Sequence, residues 1–410
     1  MRYVIFGESH GPAIGVVLEG VPAGLELDLE RVSAEMARRA PGGSPLSTAR
    51  KEADVPEILS GLFEGRTTGT PLCAVIANTD TRSRDYAKLK DLPRPGHGDY
   101  AGYVRYQGCN DYRGGGHFSG RLTAPLVFAG AVAKQLLEQK GVQVAARISN
   151  VAGIPDPTPE QYGQAVLEAR SQLDSVGGCI RCAVTGLPAG LGAPDYGENV
   201  EGIFSQYLFA VPAVKAVGFG DGVGFASLRG SQANDSFYMD GDTVKTRTNH
   251  SGGVNGGITN GMPVEFTVTF RPTPSIAQPQ ETIDLTTMTN TKITIGGRHD
   301  ACIALRAPVV VESAAALALW RLKGADGGGE LDNLRGQLDI LDTELTALFV
   351  QRQSISRRIG AYKREHHLPV QDAGREEQVL HTRGDLLPER RRQVERLFRL
   401  LMELSREEQA

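Results

Sequence analysis

Glycine and proline are distributed so unevenly along this chain of 410 residues that a single fold cannot account for them. Of 50 glycines, only four lie beyond residue 329, and of 22 prolines only two do. Residues 330–410 are instead rich in charge, with 29 of the 92 charged side chains. The change falls at the run GADGGG, residues 324–329, which has the composition of a flexible linker. We therefore predict two domains, 1–323 and 330–410, joined by this linker.

Charge and hydropathy exclude several classes of protein. The net charge of −4 gives no general attraction for nucleic acid, so an anion site must be a local patch of arginine. No apolar run has the length of a membrane span, and the start of the chain, MRYVIF, does not read as a signal peptide. Five cysteines, an odd number, indicate free thiols. We expect a cytoplasmic protein that binds small molecules, with neither nucleic acid nor membrane as a partner.

Short β-like runs alternate with helical patterns in the first domain. The helical patterns cover residues 29–39, 124–140, 158–173, 199–211 and 313–323. The β-like runs are VIFGES, IGVVLEG, LCAVIA, ARISNVAG, CAVTGLP, VEFTVTF, KITIGG and PVVVES. This alternation predicts an α/β or α+β domain that carries much of its chemistry on loops.

Residues 94–123 have the composition of a binding loop. They place His97 and His117 among glycines and four arginines, with almost no aliphatic residues. Glycine lets the backbone approach a ligand, guanidinium groups suit phosphate and carboxylate oxygens, and histidine titrates near neutral pH. One such stretch could be a solvated loop. Four more loops of this kind, at 38–52, 248–263, 271–275 and 296–300, favour a site for a phosphorylated ligand.

Two short motifs admit other interpretations. Residues 7–11, GESHG, match the nucleophile elbow of serine hydrolases, but an elbow turns into a helix and PAIGVVLEG continues here as a strand. We therefore favour Ser9 and His10 as ligand-facing loop residues over a Ser9 hydrolase. Cys179 and Cys182 have the spacing of a redox or metal pair, but a strand would point the two thiols to opposite faces.

The order of motifs along residues 1–323 resembles chorismate synthase. The matching segments are FGESHG, RRAPGG, EILSGLFEGRTTGTP, NTDTRSRDY, RPGHGDY, DYRGGG, GDGVGFASLRGSQAND, TNHSGGVNGGITNG and GRHD. The resemblance implies an α+β domain with α/β-type layers. It also implies a 1,4-elimination of phosphate from 5-enolpyruvylshikimate-3-phosphate that gives chorismate. The family needs reduced FMN for this reaction, although no net redox change occurs, and NADPH is a candidate reductant.

The same resemblance assigns roles to residues. His97 would act near the leaving phosphate, His10 near the flavin and Asp300 beside the flavin N5. The arginines that would hold substrate anions are Arg39, Arg50, Arg94, Arg121 and Arg298. The residues that would contact FMN are His117, Phe118, Ser119, Gly256, Arg271, Pro272, Thr273, Pro274, Ser275 and Arg298.

Three departures from the family pattern lie close to these positions. The family commonly reads RGGGRSSARET, where this chain has RGGG followed by His117 and Phe118. The change removes one cation near the flavin and puts the flavin contacts there in question. RRRPG also reads RRAPG, and Pro45 stands where an arginine is common, with Arg50 as a candidate replacement.

Apolar residues in the tail recur in a strict alternation of three and four. They fall at positions 334, 338, 341, 345, 348, 355, 359 and 362, and the position that the pattern requires at 352 is Arg352. A helix over residues 331–364 would be about 50 Å long, more than a fold of this size can cover, so we expect a second chain to pack along it. Arg352 and Lys363 would share one face.

The tail, residues 331–409, resembles the all-helical chorismate mutase. The resemblance implies catalysis by Arg352 and Lys363, in a site whose other residues are Arg335, Asp372, Arg375, Glu376, Ser405 and Gln409. Arg335 would reach in from the partner chain of an intertwined dimer. A Claisen rearrangement requires only that two carboxylates be clamped in the reactive conformer, with a cation or donor at the ether oxygen.

The sequence therefore predicts a bifunctional enzyme with an α+β domain followed by a small all-α domain. It would convert 5-enolpyruvylshikimate-3-phosphate to chorismate and then to prephenate, as a homo-oligomer with mutase dimers and a tetrameric synthase domain. Two alternatives remain open. In one the tail is a coiled-coil dimerisation or regulatory module, and in the other the first domain is a flavin-dependent redox enzyme.

Overall fold

The computed structural model describes residues 2–42, 46, 52–79, 89–296, 299–322 and 330–409, with backbone alone for much of 330–344. The chain divides into two compact units, Met1–Gly327 and Gly328–Ala410. The predicted linker, 324–329, lies outside the described residues, as do Pro45, Arg50 and Arg298.

The first unit contains short strands and seven described helices. The strands are β1 (Arg2–Gly7), β2 (Ala13–Glu19), β3 (Glu57–Ser60), β4 (Leu62–Phe63), β5 (Arg66–Thr67), β6 (Leu72–Ala77), β7 (Gln143–Val151), β8 (Ile154–Pro155), β9 (Gly178–Thr185), β10 (Ala189–Gly192), β11 (Val214–Phe219), β12 (Phe237–Asp240), β13 (Thr243–Thr246), β14 (Val254–Asn255), β15 (Ile258–Asn260), β16 (Val264–Phe270), β17 (Gln280–Asp284) and β18 (Thr289–Ile293). The helices are α1 (Leu29–Arg39), α2 (Asp99–Arg105), α3 (Thr123–Glu138), α4 (Pro159–Ser171), α5 (Val200–Phe209), α6 (Gly230–Ala233) and α7 (Pro308–Arg321).

Two antiparallel sheets enclose a layer of helices. One sheet has the strand order β1-β2-β6-β3 and the other has the order β11-β16-β9-β7-β8. Helix α3 contacts β2 and β6 of the first sheet, whereas α7 contacts β7 and β9 of the second. The layered α+β class predicted from the sequence is confirmed. Smaller ribbons form from β4 with β5, β12 with β13 and β17 with β18, and β10, β15 and β14 make a three-stranded sheet.

The two central helices are apolar on all sides because both flanks of each are covered. Almost every residue of α3 and α7 is buried, including Phe128 and Leu319. They approach so closely that a Cβ added to Gly130 would lie 2.2 Å from Cβ of Ser313. Glycine at this position therefore sets the distance between the two helices.

One of the predicted strands is wrong. The run PVVVES belongs to α7, which begins at Pro308, five residues before the start of the predicted helix. Proline suits the first turn of a helix because its missing N–H would have no partner there. A short run of buried branched residues does not distinguish a strand from a fully buried helix. In contrast, α1 spans the predicted residues 29–39.

A buried carboxylate joins the helical layer to the second sheet. Glu312 accepts from both terminal nitrogens of Arg38, at 2.7 and 2.8 Å, and from Lys134 Nζ at 2.9 Å. Glu312 Oε1, which also accepts from Arg38 Nη2, accepts from the backbone N–H of Ala146, in β7, at 3.0 Å. Burial alone would raise the pKa of Glu312, but the hydrogen bonds and charges of Arg38 and Lys134 lower it.

The second unit consists of three helices. They are α8 (Glu330–Glu365), α9 (Ala373–Gly384) and α10 (Arg391–Gln409). The long helix predicted over 331–364 is therefore confirmed. The four leucines of its stripe whose side chains are described are 57–61% exposed: Leu338, Leu341, Leu345 and Leu348. Such a stripe in a folded unit marks a surface that another chain can cover.

None of the helices in the described parts of the chain combines the length and the apolar character needed to cross a membrane.

We predict that Gly130→Ala destabilises the first unit, because its methyl group would overlap Ser313 in a layer that cannot expand. The expected loss is about 1–3 kcal/mol. Urea unfolding can be followed through Trp320, the sole tryptophan, which is buried in α7.

Gly163→Ala is the matched control. This glycine also lies within a helix, but an added Cβ meets its nearest neighbour at an ordinary 3.6 Å. Alanine is the better helix former, so the control should be neutral or stabilising, and an equal loss in both variants would contradict the packing explanation.

Candidate active sites

A cleft of about 600 Å³ in the first unit brings most of the predicted residues together. The predicted residues that line it are His10, Arg39, Arg94, His97, His117, Phe118, Ser119, Arg121, Arg271, Thr273, Pro274, Ser275 and Asp300. His299 and Arg306 also line it and were not predicted. Gly256 and Pro272 are not among the lining residues, and Arg50 and Arg298 lie outside the described residues.

Asp99 holds Arg94 and His97 in fixed positions. Its carboxylate accepts from Arg94 Nε at 2.7 Å and Nη2 at 2.8 Å, and from His97 Nδ1 at 2.6 Å. Burial alone would raise the pKa of Asp99, but the hydrogen bonds from Arg94 and His97 lower it well below its usual range. Because Nδ1 donates to this anion, Nε2 is the nitrogen of His97 that can exchange a proton with a ligand. The guanidinium of Arg94 also reaches Ser275 Oγ at 3.2 Å.

Consecutive glycines allow the loop at 113–118 to pass over both histidines. Gly114 and Gly115 have φ values of +58° and +89°. A Cβ on Gly114 would lie 2.1 Å from the ring of His10, and one on Gly115 would lie 2.9 Å from the ring of His97. Only glycine satisfies both the backbone conformation and the space available. The loop therefore restricts the positions of the His10 and His97 rings.

Ser9 does not have the surroundings of a nucleophile. Its side chain is fully buried, and Oγ donates to the carbonyl oxygen of Arg113 at 3.2 Å and lies 3.1 Å from His10 Nδ1. A nucleophile elbow exposes its serine at the top of a sheet, followed by a helix. The chain continues instead into β2, so the structure gives no support to the hydrolase alternative.

Two of the predicted substrate arginines share one buried counter-ion. Arg39 and Arg121 both pair with Asp54, whose side chain is completely buried. Glu52 lies 3.7 Å from Arg121 as a second anion. Burial lowers the pKa of Arg39 to about 10, against the opposing effect of Asp54. Sequence reasoning missed Asp54, which has an unusual φ of +50° and lies in no motif that suggests a site.

The departure at His117 and Phe118 is accommodated by neighbouring glycines. The ring of Phe118 fills the space where a Cβ on Gly98 or Gly102 would stand, at 3.1 and 2.5 Å from its atoms. His117 Nδ1 donates to the carbonyl oxygen of Gly7 at 3.0 Å. The aromatic side chain is therefore part of the wall of the cleft, packed against α2.

The cleft also presents polar groups without partners. Thr273 Oγ1 is buried and has no hydrogen-bond partner among the described residues. Burial lowers the pKa of His299, and the positive charge of Arg94 acts in the same direction, which favours the neutral ring. An unpaired hydroxyl beside several arginines suits an oxygen-rich ligand.

The second unit brings some of its predicted residues together. Arg352 Nη1 donates to Ser405 Oγ and, at 2.7 Å, to the carbonyl oxygen of Leu401 on α10. Burial lowers the pKa of Arg352. Gln409 packs against Gly360, where a Cβ would lie 2.7 Å from its Cα. Oε1 of Gln409 is buried and has no hydrogen-bond partner among the described residues, and the same is true of Oε1 of Gln353.

The other predicted residues of this unit lie on α9 or near it. Asp372 caps α9 by accepting from the N–H of Arg375 at 3.0 Å, and Glu376 pairs with Arg406 at 2.6 Å. Lys363 Nζ donates to the carbonyl oxygen of Val370 at 2.7 Å. The side chain of Arg335 lies outside the described residues.

Two sheets around a helical layer, with a cleft lined by arginine and histidine, make a protein suited to bind a small, multiply charged anion. Residues 1–323 match the chorismate synthase family, and residues 334–410 match chorismate mutase type II. The chorismate synthase of Thermococcus kodakarensis is 44% identical over 337 residues, covering 78% of this chain and 94% of the relative. That of Chitinophaga pinensis is 46% identical over 318 residues, covering 78% and 93%.

A crystal structure of chorismate synthase has a TM-score of 0.60 and 25% identity to this chain, and the match covers 80% of this chain and 93% of that one. The chain belongs to the chorismate synthase family. It carries a chorismate mutase type II domain after the synthase domain.

We predict that Asp99→Asn destabilises the synthase unit by about 3 kcal/mol near neutral pH, because it leaves a buried arginine without its anion. The pKa of Asp99 is lowered by folding, so its contribution is complete above the pKa of an unfolded aspartate, about 4, and is lost as the pH falls further. The difference between parent and variant should therefore shrink below about pH 4, as followed through Trp320 fluorescence. Asp156→Asn, which removes an exposed pair with Arg147, should change stability little. A difference between parent and Asp99→Asn that does not change with pH would contradict the assignment.

Proposed function

We propose that the synthase unit converts 5-enolpyruvylshikimate-3-phosphate to chorismate and that the mutase unit rearranges chorismate to prephenate. The observation that carries the first step is the Arg94–Asp99–His97 arrangement inside the cleft, which provides a fixed cation beside a fixed proton donor. The substrate has a phosphate and two carboxylates, and this cleft is lined by arginine.

The chain's own residues have distinct roles in this proposal. His97 gives a proton from Nε2 to the leaving phosphate, while Asp99 stabilises the ring through Nδ1. Arg39, Arg94 and Arg121 bind the substrate anions, since guanidinium forks suit phosphate and carboxylate oxygens. We assign Arg50 and Arg298 the same task from their motifs alone.

Ion pairs with Asp54 and Asp99 hold the guanidinium groups of Arg39, Arg94 and Arg121 in place. Asp54 and Glu52 lie against Arg39 and Arg121, and Asp99 pairs with Arg94, so three carboxylates hold these three arginines. Each guanidinium is already held before substrate arrives, which reduces the ordering that binding requires. Preorganised cations of this kind stabilise charge as it develops on the leaving group.

We place reduced FMN in the same cleft, beside the group formed by Arg94 and His97. The residues that would hold it are His117, Phe118, Ser119, Arg271, Pro272, Thr273, Pro274 and Ser275, with His10 and Asp300 near its ring. The unpaired Thr273 Oγ1 and the Phe118 ring suit a ligand with a phosphate chain and a flat ring system. Reduced FMN supplies an electron-rich ring for the elimination, which has no net redox change. NADPH is our candidate reductant, and Gly256, which does not line the cleft, is assigned to FMN from its motif alone.

The mutase site is completed by a second chain in this proposal. The exposed leucine stripe of α8 offers a surface for an antiparallel copy, whose Arg335 would enter the site. Arg352 binds a carboxylate of chorismate, and Lys363 donates to the ether oxygen. Asp372, Arg375, Glu376, Ser405 and Gln409 line the remainder, and the unpaired Oε1 of Gln409 is available to a substrate hydroxyl or to a water.

The proposal also includes an assembly and a compartment. We propose a homo-oligomer with mutase dimers and a tetrameric synthase core. All five cysteines are free, which suits the reducing cytoplasm, where we place the enzyme.

We predict that His97→Ala lowers the rate of elimination by a factor of about 100 or more, as expected for the loss of a general acid. FMN binding should persist, because the proposal assigns His97 to the leaving phosphate and not to the flavin. Phosphate release from the phosphorylated substrate with photoreduced FMN measures the rate, and fluorescence titration measures FMN binding. His381→Ala, an exposed histidine of the mutase unit, serves as control. Near-parental turnover in His97→Ala would remove this residue from the chemistry.

We predict that the parent converts the phosphorylated substrate to prephenate. Arg352→Ala should slow this second step so that chorismate accumulates, with normal phosphate release. The loss of a charge-assisted bond to a substrate carboxylate costs about 1.5–3 kcal/mol, or about 10- to 100-fold in rate. Arg357→Ala is the matched control, because it also breaks a contact between α8 and α10, to Glu408, but on an exposed face.

Product analysis over time distinguishes the outcomes. Prephenate formation at the parental rate in Arg352→Ala would refute the role of this arginine. Accumulation of chorismate alone by the parent would make the tail a structural module.

A further inference from the structure

Arg306 lies just before α7, in the sequence LRAP, and none of the motifs discussed above includes it. It lines the same cleft as Asp300 and Arg39. Its side chain is 22% exposed, so it is neither a surface arginine nor fully enclosed. The groups that the Arg306 guanidinium contacts should therefore indicate what this residue does in the cleft.

The contacts of Arg306 connect two walls of the cleft. Nη2 forms an ion pair with Oδ2 of Asp300, and Nη1 donates at 2.9 Å to the carbonyl oxygen of Arg39, at the end of α1. Nε is buried and has no partner among the described residues. The orientation of the guanidinium is therefore set by Asp300 on one side and by the backbone of Arg39 on the other.

The geometry of arginine suits this task. A guanidinium is planar, and its nitrogens diverge at fixed angles, so fixing one of them on a backbone carbonyl fixes the direction of the other. Asp300 is thereby held in one orientation relative to the end of α1. A lysine would keep the positive charge, but its ammonium group would not fix the direction of one hydrogen bond relative to the other.

We propose that Arg306 is a positioning residue that orients the Asp300 carboxylate for elimination without contacting the substrate itself. This inference rests on the proposed function, in which Asp300 acts beside the flavin. It accounts for why an arginine with an unpaired Nε is retained in the wall of the cleft. A direct substrate ligand or a purely structural pair would give other results in the experiment below.

The test is a double-mutant cycle with Arg306→Gln, Asp300→Asn and the combined variant. We measure kcat and KM for phosphate release from the phosphorylated substrate with photoreduced FMN. Arg181→Gln is the matched control, because it removes an arginine–carboxylate pair with Glu265, at 2.6 Å, in the second sheet. If Arg306→Gln does not fold, Arg306→Lys takes its place in the cycle.

A second readout does not depend on turnover. The absorbance spectrum of oxidised FMN is recorded with each variant in the presence of the phosphorylated substrate. Asp300→Asn and Arg306→Gln should change the flavin spectrum in the same direction, because both disturb the same carboxylate. Arg181→Gln should leave it as in the parent.

Arg306→Gln is expected to lower kcat by about 10- to 100-fold, the effect of losing a charge-assisted hydrogen bond, with little change in KM. The combined variant should match Asp300→Asn within about twofold, because Arg306 acts through Asp300. Losses that multiply would show direct action on the substrate and overturn the inference, as would parental kcat or a parental flavin spectrum in Arg306→Gln. Parental kcat in Asp300→Asn would instead refute the role of Asp300 in the proposed function, and the inference with it.

Discussion

The arrangement of the synthase unit depends on the carboxylate of Glu312. This one group joins α7 to α1 through Arg38, to α3 through Lys134 and to the second sheet through the N–H of Ala146. Removing one member of a buried ionic group leaves an unpaired charge and typically costs about 3–5 kcal/mol, although an apolar replacement of the whole group can be neutral. The ionic group around Glu312 matters because it fixes the positions of residues near the cleft. The residue after Arg38 is Arg39 in the cleft, and α7 begins two residues after Arg306, which ends a short 3-10 helix.

Much of the cleft could be predicted because its residues lie in motifs that keep their spacing along the chain. His10, His97 and Asp300 are far apart in sequence, yet they line one cleft in the structure. Asp54 and Arg306 could not be predicted in this way, because nothing local distinguishes a buried counter-ion from an ordinary surface charge. The sequence predicts helix α1 at its observed limits because this helix has one polar and one buried face. Part of α7 reads as a strand because α7 is buried on all sides.

Phe118 illustrates why a departure from a family pattern must be interpreted together with its neighbours. An aromatic ring in place of a serine would not fit against α2 if residues 98 and 102 carried side chains, since their Cβ atoms would overlap the ring. Both are glycines here. The fit of Phe118 therefore depends on two small residues elsewhere in the chain, and the sequence alone does not show that the three positions meet.

The uncovered leucines of α8 have a consequence for how the two activities respond to dilution. The lining residues that carry the proposed elimination come together within one chain, whereas the proposed mutase site takes an arginine from another. Association is governed by mass action, so the fraction of completed mutase sites falls as the protein concentration approaches the dissociation constant of the pair. An enzyme diluted in an assay would then release more of the intermediate than the same enzyme in a crowded cell, and the ratio of the two products becomes a measure of its assembly.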